Sequence, residues 1–174
     1  MATNKLGIAT DLFAPRKALT AHLQTLVEQG VIRGVGQAQD FADVMDGVIP
    51  PNHGFVYVTY DKSSNISTQG RNSIKSTETY TLLLAWRNNR SERSHHSHGM
   101  DDAGQVKSAI EFFVHGWTIG NDSQSSEFKS LSMGSPFVLS ATSPEAFYRS
   151  GGWAYYPISF DITVIRTRPM RASV

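Results

Sequence analysis

The 174-residue chain contains no cysteine. That excludes disulfide staples, a thiolate metal centre and a cysteine nucleophile, and it suits a reducing compartment. Excess charge of either sign is also missing. Sixteen Lys and Arg stand against fifteen Asp and Glu, a formal net charge of +1. So even a balance does not support general nucleic-acid binding. No apolar run approaches the roughly 20 residues of a membrane span, and residues 1–7 lack the apolar core of a secretory leader. The expectation is synthesis in the cytosol and no membrane partner. Catalytic signatures are missing as well: no Gly-x-Ser-x-Gly elbow, no Gly-x-x-x-x-Gly-Lys phosphate loop and no Gly-x-Gly-x-x-Gly. Gly34-Val35-Gly36 is a fragment of the last without its third glycine. The expectation is therefore no catalytic residue, no cofactor and no enzyme.

The chain is long enough to bury about two-thirds of its unfolded surface without staples. It reads as one domain over residues 1–174, with residues 1–14 as an N-terminal arm and 169–174 as a tail. Residues 152–166 carry the clearest pattern. Tyr156, Ile158, Phe160, Ile162 and Val164 alternate with Pro157, Ser159, Asp161, Thr163 and Ile165, which predicts a half-buried strand. Pro157 cannot donate to a ladder, so that part of the strand is expected at an edge. Two further strands are predicted over residues 54–60 and 77–87. Short strands, or one broken strand, are predicted over 128–131 and 137–139.

A first helix is predicted over residues 15–29, with Pro15 at its start, Gly30 past its end, and Leu19, Leu23, Leu26 and Val27 on one stripe. A second runs to Trp117, with Val106, Ala109, Ile110, Phe113 and Val114 at helical spacing; Asp101 or Asp102 caps it. Residues 32–49 read as a connection holding one loose helix over 40–46, with Phe41, Val44 and Met45 inward. Residues 61–76 and 88–100 are polar and predict long loops; residues 144–148 predict one helical turn. The fold class expected is α+β: a single mixed, mostly antiparallel sheet with two amphipathic helices on one face. On these registers Phe55, Tyr57, Leu83, Tyr155 and Ile165 lie on the other face. So much exposed apolar surface predicts an oligomer.

Three stretches also carry a resemblance: a helix ending in FFVHGW (residues 112–117), the short apolar strand SMGSPFVLS (132–140) and GGWAYYPISFDITVIRTR (151–168). Together they resemble the C-terminal half of phage tail terminator proteins, the minor tail or tail-completion family of long-tailed bacteriophages. The opening helix, Pro50 and Pro51 before a strand, and a long strand ending in Trp86-Arg87-Asn88 follow the same element order. The resemblance implies a structural virion protein. It implies a homohexameric ring that caps the tail tube, ends tube polymerisation and offers the head-joining surface. Implied partners are other copies of the chain, the tail tube protein, a head–tail connector or neck protein, and a sheath protein if the tail is contractile. DNA would be passing cargo. The implied location is the head-proximal end of the tail, with assembly in the host cytoplasm.

Residue clusters were weighed against this reading. His95, His96 and His98 invite a metal-dependent hydrolase, but they sit in a Ser-rich stretch with no acidic partner nearer than Asp101, and no metal site is predicted. His53 beside Gly54 has no partner for base catalysis in the sequence. A sheet-based binding module using residues 61–76 is the remaining alternative. For assembly contacts the candidates are the loop cations Arg71, Lys75, Arg90 and Arg93, and the outer-face residues Tyr57, Tyr155 and Asp161. Asp161 is placed where a neighbour's arginine can reach it.

Overall fold

The structure is a computed structural model that describes residues 11–48, 50–88, 98–126, 128 and 135–167. Its elements in order are α1 (Ala14–Glu28), β1 (Gly34–Gln37), α2 (Ala38–Met45), β2 (Phe55–Gln69), β3 (Ser73–Arg87), α3 (His98–Val114), β4 (Val138–Leu139), β5 (Phe147–Arg149) and β6 (Trp153–Thr167). They form one six-stranded sheet in the order β1-β2-β3-β6-β4, with β5 also on β6. Only β1 and β2 run parallel; every other pair is antiparallel. The expected α+β class is what is seen.

Three strands of 15 residues make the body of the sheet. β3 pairs with β6 without a break from Ser73–Thr167 to Arg87–Trp153. One face packs under α1 and α3. There Val56, Val58, Leu82, Leu84, Ile158 and Phe160 are fully buried against Leu19, Leu23 and Ile110. These are the even positions of the alternation, as the period of two requires. Pro157 lies opposite Leu83. On its other side β5 ends at Tyr155 and β4 begins at Phe160, so the proline occupies an interval with no strand beside it.

Several expectations need correction. α3 begins at His98, so Asp101 and Asp102 lie inside it and do not cap it, and Phe128 sits in a helical turn, not a strand. Residues 61–76 are no loop: they extend β2 and β3 into a ribbon that turns at Gly70–Asn72. Their faces lie beyond the helices, so nothing selects apolar residues there. Residues 144–148 are extended and lead into β5, not a helical turn.

Gly34 and Gly36, expected within a connection, form β1. A Cβ on Gly34 would sit 2.5 Å from the Phe55 ring, and one on Gly36 would sit 2.6 Å from the Tyr57 ring. These are the residues directly opposite in the ladder, so two aromatic rings occupy the space that side chains on β1 would need. Gly36→Ala is expected to cost about 1–3 kcal/mol, because Tyr57 is buried and has nowhere to move. Denaturant melts of that variant beside Gly104→Ala, an exposed helical position with no positive φ whose Cβ would meet nothing within 4 Å, test the claim. Equal losses at the two sites would refute the packing argument.

The second face is not open. α2 lies across it, and Val44, Tyr57, Leu83, Ala85 and Tyr155 form a second buried cluster with Phe41, Phe55 and Phe147 around it. Phe41 packs 5.6 Å from Tyr57 and edge-on to Tyr155 at 5.7 Å; Phe147 stacks on Tyr155 at 4.9 Å. The oligomer argument drawn from this face therefore lapses. The connection at residues 32–49 supplies the cover, through a short helix with Phe41 and Val44 turned inward.

Candidate functional site

The ribbon beyond the helices is the part of the sheet left over once the core is built. Its tip carries Arg71 in the turn and Lys75 on β3, both exposed, with Lys62 exposed on β2. Ile66 and Ile74 are 64% and 42% exposed. The register of β2 slips twice, between Tyr60 and Lys62 and between Ser64 and Ser67. Asn65 in the second slip takes a left-handed backbone, φ 50°, which asparagine tolerates. The bulge bends the strand and leaves Ile66 exposed. Among the described residues none of Lys62, Arg71 or Lys75 forms a salt bridge.

The ribbon is anchored by a buried carboxylate. Glu78 is fully buried and accepts hydrogen bonds from Ser76 Oγ (2.5 Å), Tyr60 OH (3.0 Å) and Ser63 Oγ, and from Arg166 Nη1 at 2.9 Å. One charge thus ties β2, β3 and β6 together where the apolar core ends. A buried charge is tolerated only when paired and hydrogen-bonded, and all four partners are present.

Behind this point the second face turns polar. Thr79 Oγ1 donates to Asp161 Oδ1 at 2.6 Å, Thr81 Oγ1 donates to Asp61 Oδ2 at 2.5 Å, and Ser159 Oγ lies 2.6 Å from Thr81 Oγ1. Asp161 is thus half-buried on a threonine within its own chain. Tyr57 and Tyr155, proposed as contact residues, are 1% and 0% exposed and are engaged by α2. Arg71 and Lys75 come together at the ribbon tip. Arg90, Arg93, His95 and His96 lie outside the described residues. Among the described residues no three His, Asp or Glu side chains are grouped to hold a metal.

One cluster escaped the sequence reading. His22 on α1 is stacked between Phe113 at 4.2 Å and Trp117 at 3.9 Å, both nearly parallel to it. Its Nδ1 meets Asp122 Oδ2, which also accepts the Trp117 indole N–H at 2.9 Å. Asp122 Oδ1 accepts the Ser125 N–H and hydroxyl, each at 2.7 Å. A hundred residues separate His22 from Asp122, so no local pattern announces the pair. Nor is the cluster an assembled catalytic site: His22 is only 6% exposed, and both neighbouring rings close over it.

Burial pushes the His22 pKa below its ordinary value of 6.5, although Asp122 pulls the other way. The unfolded chain then takes up the proton before the folded one does. Stability is expected to be level above pH 6.5 and to fall as pH drops below it, until the folded ring also protonates. His53 shifts the same way, through burial and then Arg33 and Arg87, and reinforces the slope. In His22→Phe the pH dependence between 5 and 7 should flatten in urea melts. An unchanged slope would assign it to other groups.

His53 itself has a structural task. Its Nδ1 accepts the Arg87 backbone N–H at 3.1 Å, and its ring packs 4.3 Å from Trp86. Trp86 and Trp117 pack against the main core and Trp153 against the second cluster.

The described residues thus define a one-sheet α+β protein whose distinctive surface is a projecting basic ribbon rather than a catalytic cleft. The family model for phage tail terminator proteins matches residues 8–172, nearly the whole chain. The chain belongs to that family, and it is a structural component of the bacteriophage tail and so of the virion. No protein of curated function matches the sequence.

Proposed function

We propose that this chain terminates the tail tube. Copies close into a ring, hexameric by the resemblance, which seats on the last ring of tube subunits and presents a different face to the head side. A tube grows because each ring leaves an unmatched surface for the next. A ring that complements that surface on one face and not its own other face ends growth. No bond-making chemistry is required.

The observation that supports this best is the ribbon. β2, β3 and β6 continue past the helices that cover the core, and they carry Ile66, Ile74, Arg71 and Lys75 into solvent. Apolar residues on a projecting hairpin add nothing to the fold of their own chain and suit contact with another. The ribbon edges are partly free for a neighbour, although the Thr163 N–H on β6 already donates to Ser135 Oγ at 3.2 Å. Among the described residues β2 beyond Val58 and β6 beyond Asp161 pair only with β3. Open edges accept strands or side chains from another chain. The bulges on β2 limit such pairing to short pieces. The partners in this reading are a second copy, the tube protein, a neck or connector protein on the head side and, in a contractile tail, the sheath. DNA passes through the lumen.

Arg71→Glu with Lys75→Glu is the direct test. Both side chains are exposed, so stability should change by less than about 0.5 kcal/mol each. The same small electrostatic loss repeats in every subunit of a ring, so capping should fail. Electron microscopy of lysates should then show overlong tails, or tails without heads. Normal tail lengths and normal infectivity would remove the ribbon tip from the contact.

A further inference from the structure

A second surface lies at the opposite end of the sheet, independent of ring formation. At that end Arg87 on β3 faces Trp153 on β6, and Trp153 faces Arg149 on β5. Residues directly opposite in antiparallel ladders share a face. Two exposed arginines therefore flank one indole; the Arg87 Cζ lies 6.0 Å from the Trp153 ring centre, and Arg149 Nη1 donates to the Val44 carbonyl at 3.4 Å, which holds it at the cleft. Among the described residues neither arginine has a carboxylate partner.

This row lines a cleft of about 780 Å³ between α2 and the turn joining β5 to β6. Val44 contributes an apolar wall. Tyr155 also lines the cleft. It is fully buried, and its hydroxyl has no hydrogen-bond partner among the described residues. The cleft is of a size that holds small ligands or a few residues of peptide.

We infer that this cleft binds an acidic peptide segment of a partner protein. The arginines take its carboxylates, and the half-buried indole takes an apolar side chain between them. Charge complementarity selects the occupant. Guanidinium groups recognise carboxylates with fixed geometry. Asp46 also lines the cleft and repels any anion, so the arginine side carries the acidic groups. Val48, 71% exposed on the same lining, favours an apolar peptide side chain over a continuous phosphate backbone.

The experiment measures anisotropy of a fluorescein-labelled Glu-Leu-Glu-Glu-Leu-Glu peptide, with the Gln-for-Glu peptide and a ten-nucleotide single strand as comparators. The glutamate peptide should bind about tenfold more tightly than the glutamine one, and the difference should shrink with salt. Arg87→Ala and Arg149→Ala should each weaken binding about tenfold while circular dichroism stays native. Equal binding of the two peptides, full binding by the arginine variants, or no binding at millimolar peptide overturns the inference. Displacement of the peptide by the oligonucleotide at lower concentration would make this a nucleic-acid surface instead. Tail length in the ribbon-tip variant is read separately, so either reading can fail alone.

Discussion

Glu78→Ala is expected to destabilise the chain by about 3 kcal/mol, the lower end for breaking a buried charge pair. The carboxylate is fully buried and holds four partners. Its loss leaves the hydroxyls of Ser63, Ser76 and Tyr60 and the Arg166 guanidinium without their acceptor. The Arg166 side chain is 21% exposed, so water recovers part of the charge and holds the cost below that of a fully sealed pair. Glu78→Gln keeps an acceptor oxygen and should cost less. Glu78→Leu combined with Arg166→Met should recover most of the loss, because no unpaired charge then remains. A double-mutant cycle in urea tests this, and coupling near zero between Glu78 and Arg166 would dismiss the ion pair as the anchor. Hydrogen exchange gives a second readout. Amides of the ribbon should exchange faster in Glu78→Ala while those under α1 and α3 stay protected, since the charge sits where the core ends.

Phe160→Ala is expected to be the most damaging single substitution in β6, about 3–5 kcal/mol. The ring is fully buried in the main core. Its backbone stands between Tyr80 of β3 and Leu139 of β4, so no neighbour can collapse into the space without disturbing a strand pair. For a chain of this length that is a fall in Tm of about 6–20 °C. The helix ending in FFVHGW supplies the comparison. Phe112 is 82% exposed, and Phe112→Ala should stay within about 0.5 kcal/mol of the parent. Phe113 is half-buried against His22 and should fall between the two. Equal melting temperatures for Phe160→Ala and Phe112→Ala would contradict the assignment of the core face.

What was readable in advance follows from where each segment sits. Residues 160–164 alternate because one face meets the core while Asp161 and Thr163 on the other are half-buried, and that contrast is written residue by residue. The stripe on α1 and the run from Val106 to Trp117 are legible for the same reason. Residues 65–75 continue the same strands, yet almost every described position there is exposed, and at the base the buried face is built from Ser63 and Ser76 around Glu78; with no apolar contrast, strand and loop look alike in sequence. β1 was hidden because its glycines answer to Phe55 and Tyr57 on the next strand, twenty-one residues away in each pairing by the register.

The sequence by itself determined the class of fold, the helix stripes, the alternation of β6 and the resemblance to tail terminators, all of which rest on local periodicity and order. Only the tertiary structure decided that α2 closes the second face over Tyr57 and Tyr155, and that the polar segment is a ribbon anchored on Glu78. It alone joined His22 to Asp122 and set Arg87, Trp153 and Arg149 in one row. Each of these depends on which strands and helices become neighbours. That choice is made by burial of the whole chain at once, and no stretch of the sequence carries it alone.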